Sequence, residues 1–354
     1  MATRRRPPYT TIGLALLALG ALALWLVYGR VRALPEAPLE CVPSSAVAVA
    51  SIRLNALQSA PAWKAIVGDD ADRGMRDAER ICGFDPLSLV ADATVFVTGD
   101  EDVGLEHVGF VARGAELQSE KLLGCLRSVV ADDGGDVRDV RIEGTRAVAS
   151  AHGGGRAAFV RSDGVAGGSE STVAAVIRTL RGDEPSAATD PVLSDLWAQV
   201  ATGEREITLA ARIPAAWRNV LVARLASQPA LAPLARIVAL ALSARVATGV
   251  TLGLVLRTGS AEDARLVVHA AEQARGQALA VPLLRFTPAG RALTQLDLEA
   301  HGIDAIVGVD LSVEQARALV ALVRESLGGA APRGTRPTPI PDDTLRPSSQ
   351  RAQP

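Results

Sequence analysis

Residues 9–28, YTTIGLALLALGALALWLVY, carry no charge and lie between Arg4, Arg5 and Arg6 on one side and Arg30 and Arg32 on the other. At helical rise such a run covers roughly 30 Å, the hydrocarbon thickness of a bilayer, so a single transmembrane helix is expected there. Beyond it the pattern changes. Residues 46–54, AVAVASIRL, read as a strand, and Asn55 is placed to cap a helix through Trp63 and Ile66. Residues 93–98 and 107–112 give a hairpin signal about the turn-like 99–104. Between 117 and 130, Leu122, Leu123, Leu126, Val129 and Val130 recur at helical spacing. Strands are expected at 137–142, 147–150 and 157–161, with turns at 153–155 and at Asp163-Gly164. Helices at 171–180 and 191–200 follow.

The order then returns. A strand at 207–213 leads to Pro214, which opens a helix through Trp217 and Val220 to Leu225. A second hairpin is expected from 237–246 and 250–257, with Val250, Leu252, Leu254 and Leu256 alternating. Ser260 to Asp263 and Ser312 to Gln315 have the form of capping boxes. The helices they start carry Ala264, Val267, Val268 and Ala271, then Val313, Ala316, Leu319, Val320 and Val323, with strands at 293–299 and 303–310 between. Both 46–201 and 205–328 therefore give strand, helix, hairpin, helix, hairpin, helix. The expected class is α+β: a transmembrane helix, then two similar halves, each an antiparallel sheet with helices laid on it. A basic N-terminus (1–8), an extended proline-bearing linker (29–45) and a disordered Pro/Arg-rich tail (329–354) complete the chain.

Tyr9 and Tyr28, the only tyrosines, stand at the two ends of the apolar run with Trp25 one turn inside, where amphipathic rings favour the headgroup zone. The arginines, three before against two after, put the N-terminus inside and the body on the exported, periplasmic side of the inner membrane. The competing reading is a signal peptide cut after Ala21-Leu22-Ala23, leaving a secreted soluble protein. Against it, the run stays apolar through Leu24, Trp25, Leu26 and Val27.

Hydrophobic residues make up 48% of the chain and aromatics only 3%, so the core must be built from Ala, Val and Leu. The net charge of −2 hides a split: five arginines without an acid in 1–32, a tail at +2, and so a body at −9. An acidic body opposes nucleic-acid binding and leaves lipid contact to the N-terminal helix. Cys41, Cys82 and Cys125 lack the CxxC spacing of zinc or redox sites. In an exported body Cys82 and Cys125 are the candidate disulfide, with Cys41 left over and free to bridge two chains; the alternative is three reduced, buried thiols.

Gly167-Gly168-Ser169 resembles a phosphate-cradling turn but lacks the lysine of such loops and reads as a turn and helix cap. His107, His152, His269 and His301 have no metal-ligand spacing, and no GxSxG surrounds a serine. No catalytic, cofactor-binding or metal residue is assigned, and no cofactor is expected. Were the body an exported enzyme, its site would be assembled from distant residues such as His107, Asp163 or His301. Pro337, Pro339 and Pro341 form a short polyproline-II signal in a tail expected to act as a tether.

In layout the chain resembles uncharacterised bacterial envelope proteins with one N-terminal anchor and a repeated α+β exported region. The resemblance covers the layout alone; the role expected of the chain is that of a membrane-anchored, non-enzymatic binding or scaffold protein, with membrane lipid around the helix and an envelope protein as partner. Edman sequencing of the chain extracted from membranes is expected to begin at residue 1 or 2; a start just after Ala23 would mean the anchor is cleaved.

Overall fold

A computed structural model describes residues 33–100, 104–117, 120–132, 136–150, 155–225 and 229–328. The apolar run with Tyr9, Trp25 and Tyr28, and the tail, lie outside the described residues. Among the described residues no helix is long and apolar enough to cross a membrane.

The strands are β1 (Ala46–Arg53), β2 (Asp92–Asp100), β3 (Gly104–Arg113), β4 (Val137–Ile142), β5 (Thr145–Ser150), β6 (Arg156–Val160), β7 (Gly164–Gly168), β8 (Ile207–Arg212), β9 (Ile237–Val246), β10 (Val250–Thr258), β11 (Asp297–His301) and β12 (Asp304–Leu311). They form one sheet in the order β11-β12-β10-β9-β8-β1-β2-β3-β7-β6-β5-β4. Every neighbouring pair is antiparallel. The molecule is thus α+β around a large antiparallel sheet.

Strand alternation separates the two faces. Val49 of β1, Phe96 of β2, Val111 of β3, Ala210 of β8 and Ala241 of β9 join one core with Val173, Val176 and Ile177 of the helix Glu170–Arg181 and Leu193, Leu196 and Val200 of the helix Pro191–Val200. Leu34, Leu39 and Val42 add to the same core, so the segment expected to be a spacer is packed on the sheet from Leu34 onward. Its backbone is pinned there: Leu34 N–H donates to Asp163 Oδ1 at 2.9 Å and Ala187 N–H to the Val42 carbonyl at 2.8 Å.

The opposite face carries the other helices. Ile52, Ile207, Leu252 and Val309 meet residues of Pro61–Cys82 and Val313–Gly328. Ala112, Val148, Phe159 and Val165 meet Leu122 and Leu123 of Glu120–Asp132, and Leu256 and Ala305 meet Val267 of Ala261–Ala280.

Several local expectations change. Asn55 caps nothing; it lies inside the short helix Leu54–Ser59, and Pro61 starts the next helix where its missing N–H leaves no bond unmade. Gly167 and Gly168, expected in a turn ahead of the Ser169 cap, instead end β7, GVAGG. Here they admit a neighbour, since a side chain at 167 would collide with the Phe110 ring. Residues 293–296, expected in a strand, belong to the end of the helix Pro288–Thr294 and the link beyond it. Trp217 is 49% exposed on the helix Ala215–Leu225. Ser169, Ser260 and Ser312 do cap their helices, accepting from Thr172, Asp263 and Gln315 N–H at 3.2, 3.1 and 3.3 Å.

Cys82 and Cys125 are joined as a disulfide, which ties the end of Pro61–Cys82 to Glu120–Asp132 across a separation of 43 residues. Restricting an unfolded loop of that size is worth roughly 4 kcal/mol. The Cys82→Ser/Cys125→Ser variant is expected to lose about that much in urea unfolding, and reductant is expected to destabilise only the wild type.

Candidate functional site

The face of β1 that carries Val49 turns polar towards the end of the strand, first at Ser51 and then at Arg53. Register extends both positions sideways. Thr208, Ser51, Thr94 and Val111 lie directly opposite one another across β8, β1, β2 and β3, and Arg53, Asp92 and Arg113 form the next row across β1, β2 and β3. Ser51, Thr94 and Thr208 are buried. They lie on the lining of a cavity of about 430 Å³. Leu34, Pro38 and Cys41 of the N-terminal segment close one side, and Trp197, with Arg205 from the loop before β8, closes another.

The charges of this cavity are open. Arg53 and Asp92, although opposite each other, form no ion pair among the described residues, and Arg113 forms none with Asp92. Arg113 donates through Nη2 to the Pro35 carbonyl, while its buried Nε has no hydrogen-bond partner among the described residues. Arg205 donates, among the described residues, only to the Thr202 carbonyl, at 3.3 Å. Burial pushes the Cys41 thiol up to about 11, with Glu40 and Asp163 adding to the rise and Arg113 opposing it. The thiol therefore stays protonated at neutral pH and does not neutralise Arg113. Cys41 is buried and unsuited to bridging two chains, in contrast to the sequence expectation.

On the same face, the arginines of β8 and β10 are in the opposite condition. Arg212 meets Asp190 at 3.2 Å. Arg257 is held by Asp304 through Nε and Nη2, both at 2.8 Å, and by Asp195 at 2.6 Å. Its hydrogen bond to Asp304 is the main cause that raises the Arg257 pKa above the ordinary arginine value. Burial alone would raise the Asp304 carboxyl, but hydrogen bonds from Arg257 and Gln199, with the charges of Arg257 and His301, outweigh it and hold it below the usual carboxylate range. This cluster is internally neutralised and works as a fastener between the helix Pro191–Val200 and the sheet.

The residues named from sequence for an enzyme do not meet. His107 is on β3 and His301 on β11, seven places apart in the sheet order, roughly 34 Å at ordinary strand spacing. Asp163 is engaged by the Leu34 N–H. His269 is exposed on its helix, and His152 lies outside the described residues. Among the described residues no group of three His, Cys, Asp or Glu could hold a metal ion. Gly168 and Ser169 border another cavity, lined mainly by Phe110, Leu126, Val137 and Val148. Sequence reading passed over Arg53, Asp92, Arg113 and Arg205 because each stands alone in the chain. The available signal was the polar continuation of the Val49 face through Ser51 to Arg53.

No protein-family model and no curated protein matches the chain. Among solved structures it is similar to TP0453. Crystal form III of that protein is 11% identical with a TM-score of 0.48, covering 81% of this chain and 99% of that one. Crystal form I is 10% identical with a TM-score of 0.45, covering 82% and 98%.

Removing one partner of a buried ion pair leaves an uncompensated charge, and Asp195 offsets part of that loss at Arg257. Asp304→Asn is therefore expected to lower stability by about 3 kcal/mol at neutral pH. Because the folded Asp304 carboxyl titrates below its ordinary value of 3.8, its contribution is full above that value and is lost as pH falls through the folded one. Urea midpoints of wild type and variant, measured from neutral to acid pH, should converge only at the acid end.

Proposed function

We propose that the chain is a membrane-anchored protein of the bacterial envelope, and that its exported α+β body binds a small molecule in the cavity beneath Trp197 without transforming it. The observation that carries this reading is the wall formed by Leu34, Pro38 and Cys41. That wall begins six residues after Tyr28, the last residue of the apolar run. Even fully extended, such a link reaches only roughly 20 Å, so the cavity stays close to the bilayer surface. The lining suits binding more than catalysis: hydroxyls, guanidiniums, two carboxylates and a protonated thiol supply hydrogen bonds and charge, with no imidazole among them.

The body is read as two similar halves, 46–201 and 205–328. The sequences β1-β2-β3 and β8-β9-β10 run outward from the central β1/β8 pair in the same order, and β7 follows β3 as β12 follows β10. The first half then carries β5 and β4 beyond β6, where the second ends at β11. An envelope partner at the membrane surface fits this arrangement.

Labelling intact cells with a membrane-impermeant maleimide, with and without reduction, tests the placement. The expected result is that Cys82 and Cys125 react only after reduction. Cysteines that stay unlabelled in intact cells, yet react as free thiols after denaturing lysis, would put the body in the cytoplasm.

A further inference from the structure

The arginines that end the strands of the buried face fall into two groups with different partners. Arg212 ends β8, and Arg257 lies one residue from the end of β10; both are neutralised by carboxylates of the chain. Arg53 ends β1 and Arg113 ends β3, on the same face, and among the described residues neither has an acid of its own although Asp92 stands in register between them. Both line the cavity, so it presents guanidiniums that no carboxylate among the described residues pairs with, and an oxyanion entering it would complete them. We infer that the cavity is a receptor for a small organic acid, whose carboxylate or phosphate oxyanion is held by Arg53 and Arg113.

This rests on the binding role proposed above and names the ligand class. The geometry divides the ligand in two. Arg53 and Arg113 straddle the opening row and present planar donor forks, the geometry that pairs with an oxyanion. Arg205 adds positive charge, so three guanidiniums face the two carboxylates of Asp92 and Glu36. Below the charged row, Leu34, Val111 and Trp197 offer apolar surface for the body of the acid, and Ser51, Thr94 and Thr208 offer hydroxyls to polar substituents on it. The binding step is an ion-pair exchange with water and forms no covalent bond.

The test is equilibrium dialysis of the detergent-solubilised full chain against benzoate, phenyl phosphate and the uncharged isostere benzamide. Saturable binding of benzoate or phenyl phosphate is expected, with benzamide at least about tenfold weaker. Arg113→Gln should weaken the anions by about tenfold or more, and so should Arg53→Gln, whose exposed side chain has no partner among the described residues to lose on folding. Benzamide binding as tightly as benzoate would overturn the assignment of an acid while leaving the cavity a binding site. Anion binding unchanged in both arginine variants would overturn it as well. Absence of binding by all three probes up to about 10 mM, where even a few kcal/mol is visible, would overturn both the acid and the binding role.

Discussion

The pairing of β1 with β8 is the constraint on which the rest of the structure depends. It runs from Ala48 opposite Ala211 to Ile52 opposite Ile207, and it joins everything before residue 201 to everything after 205 in one sheet. Without it each part would present a long unpaired strand edge, which invites pairing with other chains. Small side chains make the join possible. Ala48, Ala50, Ala210 and Ala211 meet there, and Val49 and Ala210 are completely buried under the helix layer. A chain with only 3% aromatics packs its sheet this way, with Phe96 among the few large side chains fully enclosed.

The same join places polar residues where a site can form. Register across β8, β1 and β2 lines up Thr208, Ser51 and Thr94, and the next row lines up Arg53, Asp92 and Arg113. The N-terminal segment and the end of the helix Pro191–Val200 then roof those rows instead of filling them. Over β9, β10 and β12 the helix fills the space, and its Asp195 and Gln199 satisfy Arg257 and Asp304. Two faces of one helix therefore have different roles. Its carboxylate-bearing surface fastens the sheet at Arg257, and Trp197 borders an open cavity at Arg53 and Arg113.

Periodicity made most of the elements legible. The alternation of Val250, Leu252, Leu254 and Leu256 gave β10, and the serine caps at 169, 260 and 312 gave three helix starts. β7 was not legible because its glycines are selected by a cross-strand ring, Phe110 against Gly167, that local propensity does not contain. The packing of residues 34–42 was hidden for a similar reason: Pro35, Pro38 and Pro43 suggest a free spacer, while the Asp163 carboxylate and the Ala187 N–H hold the segment from a distance. The cavity itself was invisible in the sequence. Arg53, Arg113 and Arg205 are far apart in the chain, and only strand register brings the first two to one row.

Comparative unfolding of Arg113→Met and Arg257→Met in urea separates arginines that fasten this face from those proposed to bind a ligand. Arg257→Met strands Asp304 and Asp195 without their cation, and a loss of about 3 kcal/mol or more is expected. Arg113→Met gives up one hydrogen bond to the Pro35 carbonyl and relieves an unpaired buried donor, so its stability should stay within about 1 kcal/mol of wild type. Equal and large losses in the two variants would mean that Arg113 is as structural as Arg257, and would contradict the account.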